Sequence, residues 1–158
     1  MNIVSKLSQN CVAGFPMVNV ALSNDGTDLK ILQQLIENNL VESIIMPRNL
    51  LYTTDISETL WILNKNKKSR VVENNGEVKR YRNREREILF IDLQQMGSPY
   101  EKKYIELTED RAEVTGVYRA WQQEGYEETY QDVLEFCYSV SSEGVAGKGF
   151  TLVPCRYI

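Results

Sequence analysis

The chain has 158 residues, the size of a single domain, with 42% hydrophobic and 25% charged residues. Those proportions belong to soluble globular proteins and exclude a disordered or fibrous one. There is no histidine, which removes Ser/His and Cys/His catalysis and the commonest metal ligand together.

No apolar run approaches the roughly 18 residues that cross a bilayer, and the first ten residues lack the apolar centre of a signal peptide. The expectation is a cytoplasmic protein without membrane contact. Cys11, Cys137 and Cys155 are an odd number at wide spacing, which fits neither a disulfide framework nor a metal site. All three are expected to be small buried hydrophobes.

In chain order, Cys11 to Val20 is mostly apolar and reads as a strand covered on both faces, with Pro16 removing one ladder bond. After Gly26, residues Leu29, Leu32, Leu35, Ile36 and Leu40 recur at helical spacing, with Thr27 as N-cap and Asp28 at the positive end of the dipole. Val41 to Met46, closed by Pro47, reads as a second strand and Thr59 to Leu63 as a third. Strand, helix, strand predicts half of a parallel α/β sheet.

The net charge of −4 hides an asymmetry, because Asn64 to Arg86 holds nine basic residues against three acidic ones. This run is expected to be a long loop or a solvated hairpin around Asn75-Gly76. It reads equally as a solubilising segment and as one that contacts phosphates.

Glu87 to Leu93 is a strand, and Gln94 to Tyr104 a loop punctuated by Gly97, Ser98 and Pro99. A further helix begins near an N-cap at Thr108, with Glu109 and Asp110 in its first turn and Val114, Val117, Tyr118 and Trp121 on one stripe. Two short strand-like pieces, Phe136 to Val140 and Phe150 to Val153, then flank Gly144, Gly147 and Gly149, which read as a loop rather than a dinucleotide site.

The familiar signatures for phosphate, zinc and serine-hydrolase chemistry are absent. Asp25, Asp28, Asp55 and Glu58 read as capping and solvated residues. Leu50 to Trp61 (LLYTTDISETLW) is more informative, since it sets an aromatic, two hydroxyls and a carboxylate ahead of an apolar strand. Tyr52 could stack on a planar ring, while Thr53 and Thr54 could hydrogen-bond a base or a phosphate.

Several blocks, in order and over nearly the whole chain, resemble the modification subunit of type I restriction-modification enzymes, the N6-adenine DNA methyltransferase family. They are AGFPMVNVALSN, GTDLKILQQLIENNLVESIIMP, LLYTTDISETLWILNKNK, EILFIDLQQMG, LTEDRAEVTGVYRAWQ and GFTLVPCRYI. Two family motifs are missing: the Gly-rich acidic motif that binds S-adenosylmethionine and the Asn-Pro-Pro-Phe motif that contacts the adenine. Asn19 and Pro16 do not reconstitute the second. Pro16 stands in a strand that is usually plain aliphatic, and Cys155 where the family usually has glycine.

The resemblance implies an α/β fold, a partial Rossmann-like methyltransferase sheet representing its C-terminal half, with a helical and small β extension. Residues 1–64 would be that half-sheet, 65–86 the basic loop or hairpin, and 87–158 the remaining strand and the extension. Tyr52, Thr53, Thr54 and Ile56 would line the target-base pocket, and Lys65, Lys67, Lys68 and Arg70 would lie near DNA phosphates.

No catalytic residue and no metal site are expected in this chain. The complete enzyme would use S-adenosylmethionine, and this chain alone would hold no cofactor. The implied partners are an N-terminal methyltransferase half, a specificity subunit, a restriction subunit and double-stranded DNA. An unpaired strand edge would favour self-association. The competing readings are a remnant that binds DNA or subunits without catalysis, and an unrelated α/β domain.

Overall fold

The computed structural model describes residues 2–23, 26–47, 58–100, 104–107 and 110–158. In chain order it contains α1 (Asn2–Lys6), β1 (Val12–Val18), α2 (Thr27–Glu37), β2 (Val41–Pro47), β3 (Glu58–Asn64), β4 (Arg70–Asn74), β5 (Glu77–Tyr81) and β6 (Glu87–Leu93). These are followed by β7 (Ser98–Tyr100), β8 (Tyr104–Glu106), α3 (Arg111–Gln122), β9 (Cys137–Ser141) and α4 (Ser142–Gly147). Five strands form one sheet in the order β1-β3-β2-β6-β9, and β4-β5 and β7-β8 are separate two-stranded pairs.

The sheet is mixed rather than parallel. β1 and β2 are both antiparallel to β3, so they run in the same direction with β3 inserted between them. β6 is parallel to β2, and β9 antiparallel to β6. The reason lies in the connections: α2 carries the chain over the sheet from β1 to β2, as parallel strands require. β3 follows β2 in the chain and returns beside it in antiparallel order.

Both faces are covered, which explains the unbroken apolar runs of β2 and β6. On one face Ile44, Trp61, Ile88 and Phe90 pack with Leu32, Leu35 and Ile36 of α2 and with Val145 and Leu152. Tyr157 stacks on Phe90 there, centroids 4.4 Å apart. On the other face Ile45, Leu89, Ile91 and Leu93 pack with Trp121 of α3. That tryptophan is the packing anchor its helical stripe predicts, and its indole N–H donates to Ser139 Oγ at 2.9 Å.

Several local expectations are corrected. The first strand ends at Val18, and Asn19–Leu22 turn as a 3-10 helix. Gly26, not Thr27, stands at the N-cap of α2, with φ of 67° that glycine adopts without strain. The segment after β6 folds into the β7-β8 pair instead of a loop. Phe150 to Val153 is not a strand; Leu152 N–H donates to Leu22 O at 2.7 Å and anchors the tail to the core. The expected cap Thr108 lies outside the described residues. Only Cys137 is buried, while Cys11 and Cys155 are exposed, since neither sits on a strand or helix face that packs inward.

Candidate nucleic-acid interface

The registers define two ends of the sheet. At one end lie Val18, Pro47 and Leu93, the carboxyl ends of the co-directional strands, with Glu58 where β3 begins. In an α/β sheet that end is where ligands are bound. Tyr52, Thr53, Thr54 and Ile56 lie outside the described residues, but both roots of their segment, Pro47 and Glu58, are at this end. Asp55 also lies outside them.

Two polar contacts are formed at this end. Thr59 is fully buried and its hydroxyl donates to the Asn19 carboxamide oxygen, tying the start of β3 to the turn after β1. Asp92 Oδ1 accepts from Gln94 N–H at 2.9 Å. Burial raises the Asp92 carboxyl above its ordinary value, against the lowering effect of that amide.

At the opposite end β3 delivers Asn64 beside Val41 and Glu87, and here the basic run begins. A seven-residue strand spans about 20 Å, so Lys65 to Arg70 stand at the end of the sheet away from Pro47 and Glu58. Residues 70–81 form a hairpin whose turn uses Asn75 at φ 52° and Gly76 at φ 80°, the positive pair that an Asn-Gly turn supplies. The hairpin is joined to the end of α3: Glu124 N–H donates to Arg80 O at 2.8 Å and Arg82 N–H to Gln122 O at 3.0 Å.

Most of the nine cations are occupied by the protein itself. Lys67 is 2% exposed, and its ammonium donates to Val41 O at 2.8 Å and Glu87 O at 2.7 Å. Burial pushes its pKa down to about 8, although Glu42 and Glu87 oppose the shift. Arg84 is fully buried against Glu42, with the ion pair at 3.1 Å.

The Glu42 carboxylate also accepts from Asn64 Nδ2 at 2.6 Å and Gln122 Nε2 at 3.1 Å. Arg82 pairs with Glu87 at 2.7 Å, and Arg86 with Glu143 at 3.0 Å. Lys65 donates to Leu7 O. Arg70 donates to Asn66 O at 2.8 Å and lies over the Tyr81 ring. Lys68 and Arg80 remain exposed.

Sequence reasoning missed this cluster. Its signal was Glu42, an acidic residue inside an apolar strand, which can be buried only beside a cation. Among the described residues no group of three His, Cys, Asp or Glu side chains could hold a metal, and no helix is long and apolar enough to cross a membrane. The described residues do not fit an S-adenosylmethionine cradle either. Among the described residues the buried side-chain polar atoms without a hydrogen bond are Ser43 Oγ, Trp61 Nε1 and Arg84 Nη2, the last held by its ion pair to Glu42, and all lie in the middle of the sheet or at its amino end.

The sequence matches the family described as N-6 DNA methylase over residues 1–158. It is 28% identical over 160 residues to the type I restriction enzyme HindI methylase subunit of Haemophilus influenzae, covering 99% of this chain and 32% of that protein. It is 25% identical to the type I restriction enzyme MjaIX methylase subunit of Methanocaldococcus jannaschii, covering 100% of this chain and 26% of that protein. The chain therefore spans about a third or less of the relatives it matches.

A crystal structure of the type I restriction-modification system methyltransferase subunit from Streptococcus thermophilus superposes with a TM-score of 0.71 at 19% identity, over 93% of this chain and 26% of that one. The type I restriction enzyme EcoKI M protein gives 0.60 at 12% identity, over 95% of this chain and 35% of that one. These likenesses give the fold: the mixed sheet is part of a Rossmann-like methyltransferase sheet.

Proposed function

Because the chain belongs to the N-6 DNA methylase family, we propose that it is the C-terminal part of the methyltransferase sheet of a type I modification subunit. Joined to a donor-holding half, it would serve the methylation of adenine N6 in DNA. The supporting observation is the edge of β1. Among the described residues β1 pairs only with β3, and the apolar side chains of Val12, Met17, Val18, Val20, Ile31 and Leu60 are all exposed around it. A row of unpaired backbone groups ringed by apolar surface is stable only when another strand and its neighbours cover it.

In this reading the donor and the acceptors for the amine protons belong to the other half. S-adenosylmethionine supplies the methyl group when bound there. This chain contributes the wall of the base pocket, with Tyr52 stacking on an extruded adenine and Thr53, Thr54 and Ile56 beside it. What supports this reading is that Pro47 and Glu58, which flank that segment in the chain, both stand at the end of the sheet where α/β folds bind ligands.

Phosphate contacts fall to Lys65, Lys68 and Arg70, while Lys67 holds the base of the hairpin. Their distance of about 20 Å from the base-side end corresponds to about six base pairs of B-DNA, within one footprint. A specificity subunit would choose the site and a restriction subunit would join the assembly.

Tyr52→Ala in the enzyme assembled with its donor-holding half tests the pocket role. Loss of one base–aromatic stack predicts on the order of tenfold to a hundredfold slower methylation; an unchanged rate would remove Tyr52 from the site.

A further inference from the structure

Leu134 is the most exposed large apolar side chain among the described residues, with 84% of its surface in solvent. It does not sit on a slack loop. The amides of Phe136 and Cys137 donate to Val133 O at 3.1 and 2.9 Å, Val133 N–H donates to Cys137 O at 2.9 Å, and Asp92 N–H donates to Phe136 O at 2.8 Å. Glu135 takes φ of 61°, a conformation that non-glycine residues seldom adopt, and Leu134 stands outward at the tip.

β9 is the sheet's other edge, but beside Leu134 it is closed to strand addition. Two of its outward amides are already used, Cys137 N–H by Val133 O and Ser139 N–H by Asp132 Oδ1 at 2.9 Å. A partner here must bind through side chains. Beside the turn runs a groove with Val133 and Phe136 on one side and Thr115 and Gly116 of α3 on the other, its charged lining being Glu113, Glu127 and Glu128 against Arg111 and Arg119, so apolar contact extends beyond Leu134 itself and carboxylates outnumber cations there.

Residues 123–136 carry Glu124, Glu127, Glu128, Asp132 and Glu135 and no lysine or arginine, and all five acids are exposed. An apolar anchor within a segment of net negative charge selects a partner that sets cations beside an apolar surface. We infer that this turn and its groove are a docking surface for an amphipathic helix of a partner protein, one that sets lysines or arginines beside its apolar stripe. A second copy of this chain would oppose carboxylate to carboxylate. The surface lies across the sheet from β1, so it stays free when the β1 edge is covered, and it does not depend on the proposed activity.

The test uses the full chain and two labelled amphipathic peptides of about 20 residues, one of leucine and lysine, the other of leucine and glutamate, followed by fluorescence anisotropy at low and high salt. The lysine peptide binds and the glutamate peptide does not. Leu134→Ser, which removes no buried contact, weakens binding on the order of tenfold. Glu127→Gln with Glu128→Gln weakens it chiefly at low salt, and Val20→Ser at the β1 edge leaves it unchanged.

Wild-type affinity in Leu134→Ser would overturn the inference, as would an equal loss in Val20→Ser. So would a concentration-dependent dimer abolished by Leu134→Ser without peptide binding, which would make a second copy the occupant.

Discussion

Glu42 and Arg84, forty-two positions apart, meet at 3.1 Å with neither side chain exposed to solvent. The pair fastens the end of the basic segment to the amino end of β2, and Asn64 and Gln122 complete the coordination of the carboxylate. Burying two ions is not in itself stabilising, but removing one leaves the other uncompensated. Glu42→Leu is therefore expected to lower stability by about 3–5 kcal/mol in urea unfolding, and Glu42→Leu with Arg84→Met to recover part of it. The exposed Arg86–Glu143 pair predicts little change for Arg86→Gln.

Lys67 gives the molecule an unusual response to alkali. Burial holds its pKa down to about 8 in the folded chain, against 10.5 when free, so between these values the unfolded chain binds the extra proton. Stability from this group rises with pH across that window, by up to about 1.4 kcal/mol per pH unit, and its penalty is fully present below pH 8. Other groups titrate in the same range, so the quantity to measure is the difference between wild type and Lys67→Met. That difference should change between pH 8 and 10.5 and be constant below 7.

The proposed phosphate contacts separate by burial. Lys68→Gln should weaken binding to duplex DNA and reduce the slope of log affinity against log salt by about one. Lys67→Gln should leave the slope unchanged, because its ammonium faces two carbonyls and not solvent. Equal effects would mean that the hairpin base opens on DNA.

Which parts of this fold the sequence discloses follows from the range of the interactions involved. The periodicity of Leu32, Leu35 and Ile36, and the apolar runs of β2 and β6, are local, and they place the elements correctly. Strand order is not local: nothing near Leu60 tells it to lie between Pro16 and Ile45, its partners in the sheet. Lys67 and Arg84 misled for the same reason. In a basic run they look solvated, and the carboxylate that internalises Arg84 is on a strand 42 residues earlier. The pocket role of Tyr52, Thr53 and Thr54 is suggested by their chemistry and, with Ile56, by the resemblance, and the described residues give only the two roots of that segment.

The β1 edge predicts behaviour of the chain by itself. The unpaired edge of β1 beside the exposed side chains of Met17 and Val18, with Val20 of the following turn 73% exposed, favours association. In gel filtration the isolated chain should elute larger at higher concentration, and Val20→Lys with Met17→Lys should shift it toward the monomer without lowering its Tm.

The most direct measurement is N6-methyladenine formed from S-adenosylmethionine and duplex DNA by this chain, alone and co-expressed with a donor-holding half, alongside calorimetry of donor binding to the isolated chain. The account predicts no donor binding and no methylation by the chain alone, methylation by the pair, and its loss when Val20→Lys and Met17→Lys block the β1 edge. Stoichiometric donor binding or methyl transfer by the isolated chain would contradict it.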